Sequence, residues 1–351
     1  MRIIIVGGGI IGAALARKLA DAGADVLVFD SRAAGATGAS FGWVNASFYL
    51  DDHHFALRMV GIDAWRGLDV PLNPCGCLCW EGEGDDLDRQ RDALTLRGYG
   101  VEEVDKARFA ALEPHVAAPD RALRFKAEAV ADPMSTTARL LNGVRVVRGV
   151  PVTGIATHGH RVTGAETAQG AVAADRVIVA AGCASPDLLA SVGVDLPLLD
   201  RPGVMMRTAA VAPCLSHVLA TPATELRQDA GGHLWAPTSA QHQGDDATAP
   251  DTRPDLLADR AVARVQALLP DVPIRWDQVT LAWRPVPQDQ RPVFGPCGPA
   301  GLFTAVMHSG ITLAAITAEL LGAQVLDQPL SNAQTHLAAP YDPARFQSGM
   351  S

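Results

Sequence analysis

A β-branched run, Ile3-Ile4-Ile5-Val6, leads without a break into Gly7-Gly8-Gly9-Ile10-Ile11-Gly12, a complete G-x-G-x-x-G. Such a run suits a short strand buried on both faces. Helix formers follow from Ile10 to Ala22, Gly23 stands where a C-cap glycine belongs, and residues 25–29 form a second apolar run ending in Asp30. Strand, glycine turn, helix, strand and acid in this order constrain the fold more than anything else in the chain. They predict a βαβ unit that binds a dinucleotide. Gly7 permits the tight turn, Gly9 lets a diphosphate approach the backbone, and Gly12 lets the helix lie against the strand. Ile11 falls in the first helical turn, whose amides face the phosphates. Asp30, 18 residues beyond Gly12, is placed to accept hydrogen bonds from a ribose diol, with Ser31 and Arg32 beside it.

An acid at that position favours an unphosphorylated ribose, so NADP is disfavoured even with Arg32 nearby, and FAD and NAD are not divided by this unit. The rest of the chain must supply a core for it. With 351 residues, 48% of them hydrophobic and only 5% aromatic, there is enough aliphatic mass for one large or two ordinary domains. Disorder and a disulfide-stapled mini-fold are excluded. The net charge of −9, without any Lys/Arg run, leaves no footprint for nucleic acid or anionic lipid. No uninterrupted apolar stretch reaches the roughly 18 residues of a membrane span. The N-terminus runs straight into the strand, and three of the 6 cysteines crowd at Cys75, Cys77 and Cys79 rather than forming a secretory framework. The expected location is cytoplasmic.

Several motifs suggest other chemistry. Gly38-Ala39-Ser40-Phe41-Gly42 matches G-x-S-x-G, but a nucleophile elbow needs a buried strand before it and a helix after it. Here a small-residue loop follows the ribose-binding acid, and it suits a second wrap of backbone around a cofactor through Ala39 and Ser40. The Cys75, Cys77 and Cys79 spacing of two puts the thiols on one face of a strand with a single residue between them, whereas zinc sites usually separate paired ligands by two to four intervening residues, and no adjacent His completes the set; no metal is expected. His158 and His160 flank Gly159 in an expected hairpin turn.

Further segments carry a resemblance. They are Ala131-Asp132-Pro133, Gly149-Val150-Pro151-Val152-Thr153, the strand and turn Val177-Ile178-Val179-Ala180-Ala181-Gly182, the run from Trp283-Arg284-Pro285 to Gly295, and His308-Ser309-Gly310-Ile311-Thr312. Together with the N-terminal unit, this order resembles the D-amino acid oxidase and glycine oxidase family of FAD-dependent oxidoreductases, which includes sarcosine oxidases and D-amino acid dehydrogenases. The resemblance implies FAD, with Val152 beside adenine, Ala181 and Gly182 at a second cofactor strand, and Gly310, Ile311 and Thr312 on the flavin side. Asp30 stands where many members have Glu. No residue matches the Cys or His that some relatives link to flavin, since Cys297 lies upstream of the His308 turn; non-covalent FAD is expected.

The fold class expected is α/β: a Rossmann-like FAD-binding domain (residues 1–50, 132–195 and 285–351) with a discontinuous α+β substrate-binding domain (51–131 and 196–284) built on an antiparallel sheet. Residues 203–211, 224–228, 233–236 and 279–283 read as its strands, with a hairpin turn at 229–232 and a loose loop at 238–252. The implied activity is oxidation of a small amino acid or amine, with hydride passing from Cα to flavin and the imine then hydrolysed. The electrons would go on to O2 or another acceptor. A 2-hydroxy acid dehydrogenase, or a flavin-binding subunit without its own turnover, are the rival readings.

Such chemistry needs a cation for the substrate carboxylate and partial positive charge at the reducing end of the cofactor. Arg284 ends an apolar strand, where a guanidinium is costly unless paired, and it matches the family's carboxylate-binding arginine; the competing role is an ion pair with Asp289. The helix after Gly310 supplies the second feature. His308 sits at this turn, either near the substrate or as a turn-forming residue. Tyr49 and His53 are candidate substrate contacts or packing residues, with Asp51-Asp52 before His53 as N-cap of a helix through Trp65. Trp43, Tyr49, Trp235 and Trp283 are the aromatic positions from which a pocket wall can be built.

Overall fold

The computed structural model describes residues 1–31, 35–82, 84–240 and 246–347. Its first sheet has six strands in the order Val293–Pro296, Leu302–Val306, Arg176–Val179, Arg2–Val6, Asp25–Asp30, Arg145–Arg148. All neighbours are parallel except the first pair, with Val6 opposite Val179 on one side and Phe29 on the other. Arg2–Val6 lies inside this sheet, and the strand alternation divides its side chains. Ile3 and Ile5 join the cluster containing Ala13, Leu15 and Leu19, while Ile4 and Val6 face Val177, Leu188 and Leu189. Burial on both faces is what the β-branched run requires.

The Ile10–Asp21 helix packs against the Gly310–Val325 helix, and the latter also packs against Asp52–Trp65. Asp51 caps Asp52–Trp65 by accepting the His54 amide at 2.9 Å, and Asp132 caps Pro133–Leu140 through the Ser135 amide at 2.9 Å. In both, a short acid satisfies a helix-end amide that has no partner within the helix.

The second large sheet has eight strands: Trp276–Trp283, Pro202–Thr208, Leu234–Pro237, Glu225–Gln228, Val218–Ala220, Cys77–Cys79, Arg121–Phe125 and Val101–Asp105. Only Val218–Ala220 and Cys77–Cys79 run parallel. The Pro254–Leu268 helix covers one face, setting Ala258, Ala261 and Val265 against Met206, Leu226 and Ala236. The chain therefore passes between the two sheets repeatedly, giving the mixed α/β architecture with a discontinuous antiparallel part.

Boundaries differ in detail from the sequence reading. The strand expected over 203–211 ends at Thr208, since Ala209 onward leaves the ladder with Trp276–Trp283. The 229–232 turn closes as a hairpin, with the Asp229 amide donating to the His233 carbonyl at 2.9 Å and Gly232 at φ +84. Cys75 lies outside the three-residue strand Cys77–Cys79. Burial pushes the thiols of Cys75 and Cys79 up to about 11 and about 12, and that of Cys77 well up, so all three stay protonated. Part of the loop expected over 238–252 lies outside the described residues, as does Arg32. No helix among the described residues is long and apolar enough to cross a membrane.

Candidate active site

The G-x-G-x-x-G turn is shaped by what a side chain would meet. A Cβ on Gly7, which has φ +115, would lie 2.2 Å from the Ala180 carbonyl oxygen, and one on Gly12 would lie 2.0 Å from the Gly7 carbonyl oxygen. Both glycines are therefore dictated by backbone approach. A Cβ on Gly9 would meet only Thr37 Oγ1, at 3.0 Å. Thr37 Oγ1 itself accepts the Ile10 amide at 3.1 Å, so the second loop is tied to the start of the first helix.

This cradle forms one end of a cavity of about 680 Å³. Gly7, Gly9 and Ile11 line it, as do Asp30 and Ser31 at the end of the next strand. Ala39 and Ser40 from the small-residue loop close one side, with Val152, Ala181 and Gly182 opposite. Gly310, Ile311 and Thr312 bring in the N-terminus of the second helix, and Gly310 lies beside the first, where a Cβ would make ordinary contact with Ile11 Cδ1 at 3.5 Å. Two helix N-termini thus open on one cavity, each with amides and positive dipole end facing inward. Gly12 lies beneath the cradle rather than on its surface.

The far end of the same cavity is lined by Arg284 and His308, together with Met205, Glu225 and Trp283 from the eight-stranded sheet. The stem of Arg284 lies across Gly203, with Cγ and Cδ 3.6 Å from the position of a Gly203 Cβ. Asp289 does not engage Arg284 in an ion pair: its carboxylate is gripped by Arg345, Nε to Oδ2 at 2.7 Å and Nη2 to Oδ1 at 3.1 Å.

A smaller cavity of about 360 Å³ adjoins the first and shares Arg58, Arg284, His308 and Ser309 with it. Tyr49 lines this second cavity. His53 lines neither; its ring centroid lies 5.5 Å from that of His336. The neighbouring His54 faces the second cavity instead. Trp43 and Trp283 line the first cavity, whereas Trp235 lines neither and sits under the Arg227 guanidinium, 5.2 Å from its ring centroid.

Sequence reasoning missed the residue that ties this end together. Arg58 is 3% exposed, and its Nε donates to the Asn45 carbonyl at 3.0 Å while Nη1 donates to Ser309 Oγ at 2.7 Å. Nη2 donates to Asn45 Oδ1. Burial lowers its pKa to about 10, opposed by the nearby Glu128. Ser309, at φ +57, precedes the Gly310–Val325 helix in the left-handed region, and His308 Nδ1 lies 3.4 Å from its hydroxyl. Thr312 Oγ1 donates to the Trp43 carbonyl and accepts the Asn45 amide, both at 3.2 Å. Behind this wall Glu128, fully buried, accepts from Trp43 Nε1 at 2.9 Å, Tyr99 Oη at 2.8 Å and the Ser47 amide at 3.3 Å. Burial pushes its carboxyl up to about 7. The signal available in the sequence was positional: His54 and Arg58 share the helical stripe of Ile62 and Trp65, so a cation is spaced onto the face that the helix buries.

Fold and cavity together define a Rossmann-type dinucleotide protein with an arginine-bearing second unit. The chain matches the family of FAD dependent oxidoreductases known as DAO over residues 2–324, and it belongs to that family. It is 26% identical over 355 residues to a glycine oxidase of Pseudomonas aeruginosa, covering 91% of this chain and 93% of that one. It is 30% identical over 232 residues to the 4-methylaminobutanoate oxidase (formaldehyde-forming) of Paenarthrobacter nicotinovorans, covering 60% of this chain but only 28% of that longer protein. The glycine oxidase structure from Geobacillus kaustophilus superposes with a TM-score of 0.83 at 23% identity, over 98% of this chain and 99% of the other.

Proposed function

We propose that the protein oxidises a small amino acid or amine with non-covalently bound FAD, yielding an imine that water hydrolyses. The observation that carries this reading is continuity: one cavity runs from the glycine cradle at Gly7 and Gly9 to the Arg284 side chain. Relatives named as glycine oxidase and 4-methylaminobutanoate oxidase support an amine or amino acid as substrate.

The residues fit the cofactor. Where Gly9 lacks a side chain, a diphosphate can reach the backbone amides at the first helix N-terminus. Asp30 takes the ribose, Val152 the adenine side, and the Gly310–Val325 helix N-terminus faces the end that gains charge. When bound, FAD would supply the acceptor for the hydride, and with it the two electrons, that leaves the amine carbon. Residues 1–50, 132–195 and 285–351 form its binding part in this reading, and 51–131 with 196–284 the substrate part.

The protein's own task is to hold the substrate. Arg284 pairs its planar fork with the substrate carboxylate. His308, on the turn shared by both cavities, stands beside the amine. Met205 and Trp283 give apolar walls beside the reacting carbon. The electrons pass on to O2 or another acceptor.

The test is anaerobic addition of an amino acid panel to the purified yellow protein, reading the flavin band near ~450 nm. Bleaching by amino acids is expected. Bleaching by 2-hydroxy acids alone would replace the amine with an alcohol, and bleaching by neither would point to a flavin-binding subunit.

A further inference from the structure

The second cavity is assigned nothing by the reaction proposed above, yet its wall has a pronounced chemical bias. Arg58, Arg201 and Arg284 all line it, and among the described residues no Asp or Glu does. Arg201 and Arg284 are adjacent because the Arg284 amide donates to the Arg201 carbonyl at 2.8 Å. Arg58 already donates from each of its three nitrogens to Asn45 or Ser309, so its main contribution here is charge. Arg201 differs: its guanidinium has one hydrogen bond, Nη1 to the Asp200 carbonyl at 3.0 Å, and no ion pair among the described residues. His54 adds a neutral donor. Its Nδ1 accepts the Leu50 amide at 3.1 Å, which leaves the hydrogen on Nε2, and that buried Nε2 has no partner.

A buried donor without an acceptor is costly, and an arginine with no ion pair among the described residues, set beside two further cations, raises the local potential. Both are relieved by one kind of occupant, an anion. We propose that this cavity is a carboxylate subsite, so that the preferred substrate is an amino acid carrying a second carboxylate on its side chain. This rests on the amine reading above. With the α-carboxylate on Arg284, which borders both cavities, the side chain passes away from the cofactor end and sets its carboxylate against Arg201, with His54 Nε2 as a further donor.

The experiment compares D- and L-aspartate and D- and L-glutamate with glycine and D- and L-alanine as reductants of the holoprotein. In parallel, calorimetry measures malonate and succinate against acetate as ligands that carry no amine. Wild type, Arg201→Met and Arg201→Lys are examined, with FAD content confirming that each folds. The expected result is a dicarboxylate preference in both assays. Arg201→Met should shrink the dicarboxylate-to-monocarboxylate ratio by about tenfold or more, the scale of one charge-assisted pair, and Arg201→Lys should restore most of it. Reduction by amino acids with no dicarboxylate preference, or a ratio indifferent to Arg201→Met, overturns the subsite and leaves the amine reading standing. If no amino acid reduces the flavin but succinate still binds in an Arg201-dependent way, the subsite stands and the amine reading falls. Failure of both assays removes both.

Discussion

Arg58 Nη1 donates to Ser309 Oγ at 2.7 Å, joining the Asp52–Trp65 helix to the left-handed residue that starts the Gly310–Val325 helix. Through Nε the same guanidinium holds the Asn45 carbonyl at 3.0 Å. The segment at Asn45, the Asp52–Trp65 helix and the turn bearing His308 are thus fixed to one another by a single buried cation. Behind it lies Glu128, which accepts from Trp43, Ser47 and Tyr99 and opposes the effect of burial on the Arg58 pKa.

Replacing Arg58 by Met should therefore loosen both ends of the cavity. Buried acceptors on Asn45 and Ser309 would lose their donors, for an expected loss of about 3 kcal/mol in unfolding free energy. FAD should bind more weakly, because the Gly310 turn is no longer held. Guanidinium unfolding and flavin fluorescence titration check this. An unchanged midpoint together with unchanged FAD affinity would show that the turn holds itself.

Arg284→Lys addresses the substrate end. Lysine keeps the charge but cannot present a planar fork, so KM for the substrate should rise about 10- to 100-fold while FAD stays bound. Asp289 is held by Arg345, so loss of an Arg284 ion pair to that acid is not an available explanation for such a change. Steady-state kinetics with flavin content measured alongside decides the matter, and an unaltered KM would remove Arg284 from carboxylate binding.

The glycine unit was legible because its spacing is local: Gly7, Gly12 and Asp30 lie within one βαβ segment. The oxygen that bars a Cβ on Gly12 is that of Gly7, within the unit, whereas the one that bars a Cβ on Gly7 belongs to the distant Ala180. Arg284 and the Gly310 turn were legible from family likeness and from a cation ending an apolar strand. Arg58 was not, since its partners lie 13 and 251 residues away and only the folded chain brings them together. The choice between His53 and His54 likewise turns on helix phase. With Asp51 as N-cap, His54 and Arg58 occupy the buried stripe, and His53 is turned toward His336.

Two glycines of the cradle should separate folding from cofactor binding. Gly12→Ala drives a Cβ to 2.0 Å from a backbone oxygen, so it should destabilise the apoprotein, by about 3 kcal/mol on the scale of overpacking. Gly9 has φ −71, which any residue adopts, and its Cβ meets only a side-chain hydroxyl at 3.0 Å. Gly9→Ala should stay within about 1 kcal/mol of wild type yet bind FAD at least tenfold more weakly. Equal FAD affinity in a folded Gly9→Ala variant would move the diphosphate away from this turn.

Glu128 makes stability depend on pH in a way that a single variant isolates. Its carboxyl is raised from 4.5 to about 7 by burial, against donors from Trp43, Ser47 and Tyr99 and the charge of Arg58. Between those pH values the native state holds more protons than the unfolded chain, so Glu128 contributes stability at low pH that is lost as pH rises through about 7. The full loss is about 3 kcal/mol. His54 acts in the opposite sense: burial and Arg58 lower it from 6.5 to about 3, so its contribution grows as pH rises across that range. The two slopes oppose each other in mildly acidic solution. Glu128→Gln removes one of them and keeps an acceptor for Trp43 or Tyr99. The difference in unfolding free energy, variant minus wild type, should therefore climb by about 3 kcal/mol between pH 4.5 and 7. Denaturant unfolding at four pH values across that interval measures it. A flat difference would mean that Arg58 keeps Glu128 ionised throughout, and that the wall behind the cavity is a salt bridge rather than a protonated acid.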